Sequence, residues 1–319
     1  MNIKPLITCW FLTGPTASGK TSVAVQLAQR IDAEIISLDS MALYRGMDIG
    51  TAKPTPQQRQ VVPHHLLDVL QPHQEYSLAR YLAAACDCVN AIRTRGKQVI
   101  LSGGTPLYLK GALRGIFEGP AADWDFRHAL LAEIERHGLT HLHGRLAKVD
   151  PVTAARLHPH DTRRIIRALE VFEKMGQPIS QLQQQFTVGR PAGQCRVFVL
   201  DWPRDELYGR INQRVDLMFQ AGLVAEARGL LLRAEPFSRT ARQAVGYREV
   251  LEHLHGELTL PQAIELVKQH TRQLAKRQLT WFRSMSECRF VPVSGQIDEN
   301  DLARQIAEEG EKVDAPPGG

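Results

Sequence analysis

Residues 14–21 read Gly-Pro-Thr-Ala-Ser-Gly-Lys-Thr and follow directly on the apolar run Leu6–Leu12. This pattern predicts a buried strand that runs into a glycine-rich turn, with a helix beginning at Lys20. Such a turn brings successive backbone N–H groups round one concave spot, at the positive end of a helix dipole. Gly14 and Gly19 lack the Cβ that would hold a phosphate away, and Pro15, Thr16, Ala17 and Ser18 complete the turn. Lys20 supplies positive charge to phosphate oxygens, and Thr21 offers a hydroxyl to a magnesium ion. Val23, Ala24, Leu27, Ala28 and Ile31 recur at three- and four-residue spacing, as an amphipathic helix requires. A chain with this loop holds a diphosphate or triphosphate, but the loop does not say which molecule carries it.

Further apolar runs at Glu34–Leu38 and Gln98–Leu101 each end in turn chemistry. Between them Leu78, Leu82, Ala85, Val89 and Ile92 fall on one helical face. Strands alternating with amphipathic helices predict an α/β fold built on a parallel sheet flanked by helices, of the phosphate-loop type. From about 120 to 190 the chain has helical stretches rich in His, Arg and Gln and no convincing strand. Arg196–Leu200 then reads as a buried strand, and Arg289–Val293 as an edge strand. The expected organisation is a first catalytic part (1–119), an inserted all-helical domain (120–190), a second catalytic part (191–295), and a C-terminal helix with a flexible tail (296–319).

At 319 residues and 43% apolar, the chain can bury a sizeable core, and its net charge of +5 leans toward an acidic partner. The five cysteines are scattered without paired spacing, which predicts reduced thiols in a cytoplasmic protein rather than disulfides or zinc ligands. A cleaved signal peptide at the N-terminus would remove the phosphate loop. No apolar run reaches the roughly 18 residues that a membrane helix needs.

Ligands of open parallel sheets bind beyond the carboxyl ends of the strands. Three such ends carry polar groups: the phosphate loop, Asp39-Ser40, and Gly103-Gly104-Thr105. Asp39 could bind magnesium, act as a general base, or cap a following turn. Gly103-Gly104-Thr105 reads either as a ligand-facing loop or as a tight turn with a helix cap.

Asp39-Ser40-Met41, Tyr44 and Gly46-Met47-Asp48-Ile49-Gly50-Thr51-Ala52-Lys53-Pro54 together resemble the bacterial tRNA dimethylallyltransferase (tRNA isopentenyltransferase) family. Pro63–Asp68, Gly103–Tyr108, Asp150-Pro151, Arg163–Val171, Val245–Arg248 and Thr271–Gln278 extend the resemblance to about Arg283. Gly46–Pro54 is the most specific part, because no general phosphate-binding fold demands it. Pro106 and Ala42 depart from the family pattern, which has a Gly or Met and commonly a Gln at those places. The resemblance implies transfer of a dimethylallyl group from dimethylallyl diphosphate to the exocyclic amine of adenosine 37 in tRNA, beside the anticodon. The phosphate loop would grip the diphosphate with Mg²⁺ on Thr21, and Lys20 would stabilise the charge that develops on it. Asp39 carries over as the base, and Thr105 as a group near the reacting centre.

The implied tRNA contacts are Asp39, Ser40, Met41, Ala42, Thr105, Arg127, Arg163, Arg164, Ile165, Ile166, Arg167, Arg242, Gly246, Tyr247, Arg248, Arg272, Lys276, Arg277 and Arg283. In the late helix Arg272, Lys276, Thr280 and Arg283 share one face, with Ile264, Val267, Leu274 and Trp281 as the expected apolar stripe. The pairs His64-His65 and His158/His160 lack accompanying carboxylate or Cys spacing and read as structural or RNA-facing. The anticodon stem-loop is the expected partner and a monomer the expected state. Three other readings use the same loop: a kinase or ATPase, a prenyltransferase acting on a free adenine nucleotide, and a non-catalytic RNA binder. The first does not need Gly46–Pro54, the second does not need the insertion or the basic late helix, and intact Lys20, Thr21 and Asp39 weigh against the third.

Overall fold

The computed structural model describes residues 3–117, 119–183, 189–233 and 235–313. It contains two compact units, one of residues 114–188 and one formed by the chain on either side. The larger unit begins with α1 (Lys4–Ile7), β1 (Trp10–Thr13), α2 (Lys20–Arg30), β2 (Ala33–Ser37), α3 (Pro56–Val61) and β3 (His64–His65). It continues with α4 (Leu78–Thr94), β4 (Gln98–Gly103) and α5 (Pro106–Arg114). The smaller unit holds α6 (Trp124–His137), α7 (Leu139–Val149), α8 (Pro151–Arg156), α9 (Thr162–Met175) and α10 (Ile179–Leu182). The chain then returns to the larger unit through β5 (Val197–Asp201), α11 (Arg204–Gln220), α12 (Leu223–Leu231), α13 (Arg239–Arg242) and α14 (Tyr247–Leu254). It closes with α15 (Leu260–Arg283), β6 (Arg289–Pro292) and α16 (Glu299–Glu311).

The six strands form one sheet in the order β3-β2-β4-β1-β5-β6, and every pairing is parallel. The chain passes from β1 to one side of the sheet, returns through β4 beside β1, and continues to the other side through β5. That reversal places the carboxyl ends of β1, β2 and β4 together, where open α/β sheets bind ligands. The central strands read as continuous apolar runs because both of their faces are covered. On one face Leu302, Ala303, Ile306 and Ala307 of α16 join Val23, Ala24 and Leu27 of α2 against Trp10, Ile100 and Phe198.

One local expectation changes. Leu6 lies in α1 rather than in β1, because Pro5 sits at the start of a short helical turn where its missing N–H is harmless. The C-terminal helix α16 packs into the core beside the sheet; residues 314–319, expected as a flexible tail, lie outside the described residues. His64-His65 forms the two-residue edge strand β3. Its His65 Nε2 lies 2.6 Å from buried Glu34, which also takes a 2.7 Å bond from Arg95.

The helical unit has its own core of Leu130, Leu142, Leu146, Ile165, Ile166, Leu169 and Val171, which is why it can stand as a separate body. Glu170 on α9 is a fully buried carboxylate of this unit. Glu170 accepts from Arg127 Nε and Nη2 at 2.8 and 2.7 Å, from Arg167 Nη1 at 2.6 Å, and from the Asp123 amide at 2.7 Å. Burial alone would raise its pKa, but these hydrogen bonds outweigh that and hold it below the ordinary carboxylate value.

Candidate active site

The phosphate loop wraps as its residues predict. Gly19 takes a left-handed φ of +84° at the start of α2, a conformation that costs a side-chain-bearing residue about 1 kcal/mol. No side chain caps α2, so its first N–H groups are free to meet an anion. The Ser18 hydroxyl is buried and has no hydrogen-bond partner among the described residues. An orphaned buried hydroxyl in a turn of converging amides fits a phosphate oxygen.

Lys20 Nζ bonds the Pro15 carbonyl at 3.2 Å. Burial and, next, the charge of Arg214 push its pKa down to about 8, against a smaller upward pull from Asp39. Arg214 is lowered by burial as well, with Asp39 again opposing. Among the described residues neither cation has an ion-pairing carboxylate. Both line a cleft of about 340 Å³ together with Ser18, Gly19, Thr21 and, from α11, Arg210 and Gln213. Two partly desolvated, unpaired cations at a helix N-terminus form a strong anion site. Thr21 adds a hydroxyl to this cleft, and hard oxygen donors of this kind suit magnesium shared with a phosphate.

The α11 side braces the loop. Arg210 donates to the Ala17 carbonyl at 2.9 Å while stacking over Trp202 at 4.3 Å. Trp202 Nε1 donates to the Ser18 carbonyl at 3.0 Å. Motif reasoning passed over Arg210, Gln213 and Arg214, which lie nearly 200 residues from the loop. Only their spacing on one amphipathic helix after a strand hinted at a shared face.

The other two strand ends are tied together. A Cβ on Gly103 would lie 2.3 Å from the Leu38 carbonyl carbon, so β2 and β4 end in direct backbone contact. The Thr105 amide donates to Leu38 O at 3.1 Å, and the Ser40 amide donates to Thr105 Oγ1 at 3.0 Å. Asp39 Oδ1 accepts from the Met41 amide at 2.8 Å, so the turn-capping role is real. The carboxylate still interacts electrostatically with Lys20 and Arg214, so capping does not exclude a role in the site.

Gly46–Pro54 owes its specificity to packing. The Glu226 carboxylate accepts from the successive amides of Asp48, Ile49 and Gly50 and, at 2.5 Å, from the Tyr247 hydroxyl. A Cβ on Gly50 would lie 2.4 Å from the Tyr247 ring. Lys53, nearly wholly buried, donates to the Tyr44 carbonyl and to the carboxylates of Asp48 and Asp68.

Several implied tRNA contacts are therefore internal. Ile165 and Ile166 are buried in the helical core, because on α9 their positions face α7. Tyr247 is fully buried, and Gly246 and Ala42 are also enclosed. Gly246 donates its amide to Glu249 at 2.7 Å. Arg127 and Arg167 are held by Glu170, and Arg248 pairs with buried Glu249 at 2.6 Å. By contrast Arg163, Arg164, Arg242, Lys276, Arg277 and Arg283 are exposed. Arg272 is half-buried and bonds Asn212 at 2.6 Å. The buried face of α15 is Ala263, Val267, Ala275, Gln278 and Phe282, whereas Ile264, Leu274 and Trp281 of the expected stripe are only partly covered.

Fold and site together define a phosphate-loop protein whose anion cradle faces a carboxylate and a hydroxyl at neighbouring strand ends. The model of the IPP transferase family matches residues 42–285. The tRNA dimethylallyltransferase of Rhodopirellula baltica is 49% identical over 286 residues, covering 87% of this chain and 86% of its own. The full-length tRNA isopentenylpyrophosphate transferase from Bacillus halodurans superposes with a TM-score of 0.68 at 38% identity, over 96% of this chain and 98% of that one. A eukaryotic dimethylallyltransferase, described as acting on tRNA, gives a TM-score of 0.76 at 28% identity, over 94% of this chain and 77% of that one. The chain belongs to the IPP transferase family, as the resemblance of its motifs implied.

Proposed function

We propose that this protein transfers a dimethylallyl group from dimethylallyl diphosphate to the exocyclic amine of adenosine 37 in tRNA, releasing diphosphate. The observation that carries the reading is the anion cradle of Gly14–Thr21, with Lys20 and Arg214 lacking an ion-pairing carboxylate among the described residues, beside the linked strand ends of Asp39 and Thr105. The adenine amine attacks the first allyl carbon as the bond from that carbon to the diphosphate oxygen breaks. The electron pair leaves with the diphosphate, and the amine proton passes to the Asp39 carboxylate. Lys20, Arg214 and the loop amides stabilise the charge that develops on the leaving group. Thr105, which is hydrogen-bonded to Ser40, would orient the amine. Magnesium, when bound through Thr21 and the diphosphate, would neutralise part of the leaving group's charge.

The anticodon stem-loop is the proposed binding partner, held through exposed arginines and lysines, with the target base drawn out of its stack. The enzyme is proposed to work as a monomer in the cytoplasm; among the described residues no helix is long and apolar enough to cross a membrane. Incubation with an unmodified anticodon stem-loop, magnesium and dimethylallyl diphosphate should add one five-carbon unit to the loop adenosine, read by mass spectrometry. Product on AMP alone, or ATP consumption without RNA product, would replace this reading with a nucleotide prenyltransferase or a kinase.

A further inference from the structure

Gln278 is the only uncharged polar side chain on the buried face of α15. Its Oε1 accepts from the Thr16 amide of the phosphate loop at 2.9 Å, and its Nε2 donates to the Gly104 carbonyl at 2.6 Å. A backbone amide can only donate and a carbonyl only accept, so these partners dictate the orientation of the side-chain amide. One rigid, planar group thus spans the loop that cradles the anion and the loop that follows β4.

From Gly104 the connection runs through Thr105. Its hydroxyl accepts from the Ser40 amide at 3.0 Å and lies 3.3 Å from the Ser40 hydroxyl, next to Asp39. A Cβ added to Gly104 would lie 2.7 Å from Gln278 Nε2 and 3.5 Å from Lys20 Nζ, so amide, carbonyl and ammonium converge on one spot. The neighbours Lys276 and Arg277 point to solvent, while Gln278 points into the site.

We infer that Gln278 is a positioning residue that sets the distance between the diphosphate cradle and the loop carrying Thr105, Ser40 and Asp39. This rests on the reaction proposed above. A donor held on one loop and an acceptor amine on the other must meet at bonding distance, and a shift of about 1 Å can cost about a hundredfold in rate. Binding of either substrate alone does not need that spacing.

Gln278→Met keeps the length and volume of the side chain and removes both hydrogen bonds. Single-turnover prenylation of the stem-loop should slow by about 10- to 100-fold. The dissociation constants for inorganic diphosphate and for the stem-loop should each move by less than about threefold, since neither ligand loses a direct contact. Amide exchange of Thr16, followed by hydrogen–deuterium NMR, should accelerate because its acceptor is gone. Gln278→Glu offers a second variant: it still accepts from Thr16 but sets a carboxylate against the Gly104 carbonyl, and should lose rate with Thr16 protection retained. Wild-type turnover in both variants, or a rate loss matched by equal losses in both affinities and in thermal midpoint, would overturn the inference while leaving the reaction standing. A wild-type protein that transfers no five-carbon unit would instead overturn the reaction and this inference with it.

Discussion

The phosphate-loop cleft and the Glu170 knot are both clusters of cationic side chains, yet they differ in one decisive respect. In the helical unit Arg127 and Arg167 converge on a buried carboxylate that uses its oxygens fully. In the cleft Lys20 and Arg214 are each half-buried with no ion-pairing carboxylate among the described residues, and desolvation lowers the pKa of both. A protein seldom leaves two desolvated cations uncompensated unless a ligand completes the site. The Glu170 knot holds a fold together, whereas the cleft presents positive charge that its own carboxylates leave unmatched among the described residues.

The largest effect is expected at the chemistry beside the cleft. Asp39→Ala should lower the single-turnover rate by roughly two to four orders of magnitude, with stem-loop binding retained. Unchanged turnover would leave Asp39 only its role as a turn cap. Next in size, Lys20→Met should weaken diphosphate binding by about a hundredfold or more without lowering the thermal midpoint, because it removes a partly buried, unpaired charge. Calorimetric titration and a melting curve report the two quantities separately. A lower midpoint would show that Lys20 is already compensated.

The knot should answer in the opposite way. Glu170→Gln should cost about 1–3 kcal/mol of stability in urea unfolding while leaving diphosphate affinity alone. Since the Glu170 pKa is lowered in the folded protein, its contribution is present above the ordinary carboxylate pKa and is lost as pH falls through the folded value. The gap between wild type and variant should therefore close in acid. A gap that persists there would mean that shape rather than charge holds the knot.

A finer contrast is pH at the cleft. Lys20 is cationic below about 8 and neutral above it, so diphosphate affinity should hold from pH 6 to 8 and then fall by up to tenfold per pH unit. Affinity that stays level to pH 9.5 would return Lys20 to an ordinary lysine. The smallest effect concerns RNA. Exposed Arg163 and Arg164, changed together to Ala, should reduce the salt slope of stem-loop binding by about 2. Arg167→Ala should leave that slope nearly unchanged and lower stability instead, since its guanidinium is committed to Glu170 and the Pro120 carbonyl. A clear loss of slope in Arg167→Ala would restore it as an RNA contact.

The parallel sheet and the cradle were legible because their determinants are local. Eight contiguous residues build the phosphate loop, and apolar runs alternating with amphipathic helices dictate strands covered on both faces. Asp39 and Thr105 were legible by position, each standing just past a strand that the topology carries to the same end of the sheet. The inward turn of Ile165, Ile166 and Tyr247 was not legible, because a motif gives the neighbourhood of a residue and not the direction of its side chain. On α9 one residue of rotation, about 100°, separates exposed Arg164 from buried Ile165.

Arg214 and Gln278 were out of reach for another reason. Each enters the site from a helix late in the chain, and nothing in the order of residues marks which arginine or glutamine faces inward. The phosphate-loop turn and the α/β architecture follow from the order of residues alone, since short-range geometry and periodicity dictate them. Tertiary structure decided which cations stay unpaired, which are neutralised, and which amide spans the two loops. Those outcomes depend on desolvation and on partners that lie from 3 residues apart, for Arg167 and Glu170, to 262 apart, for Thr16 and Gln278, and only the packed fold brings them within reach of one another.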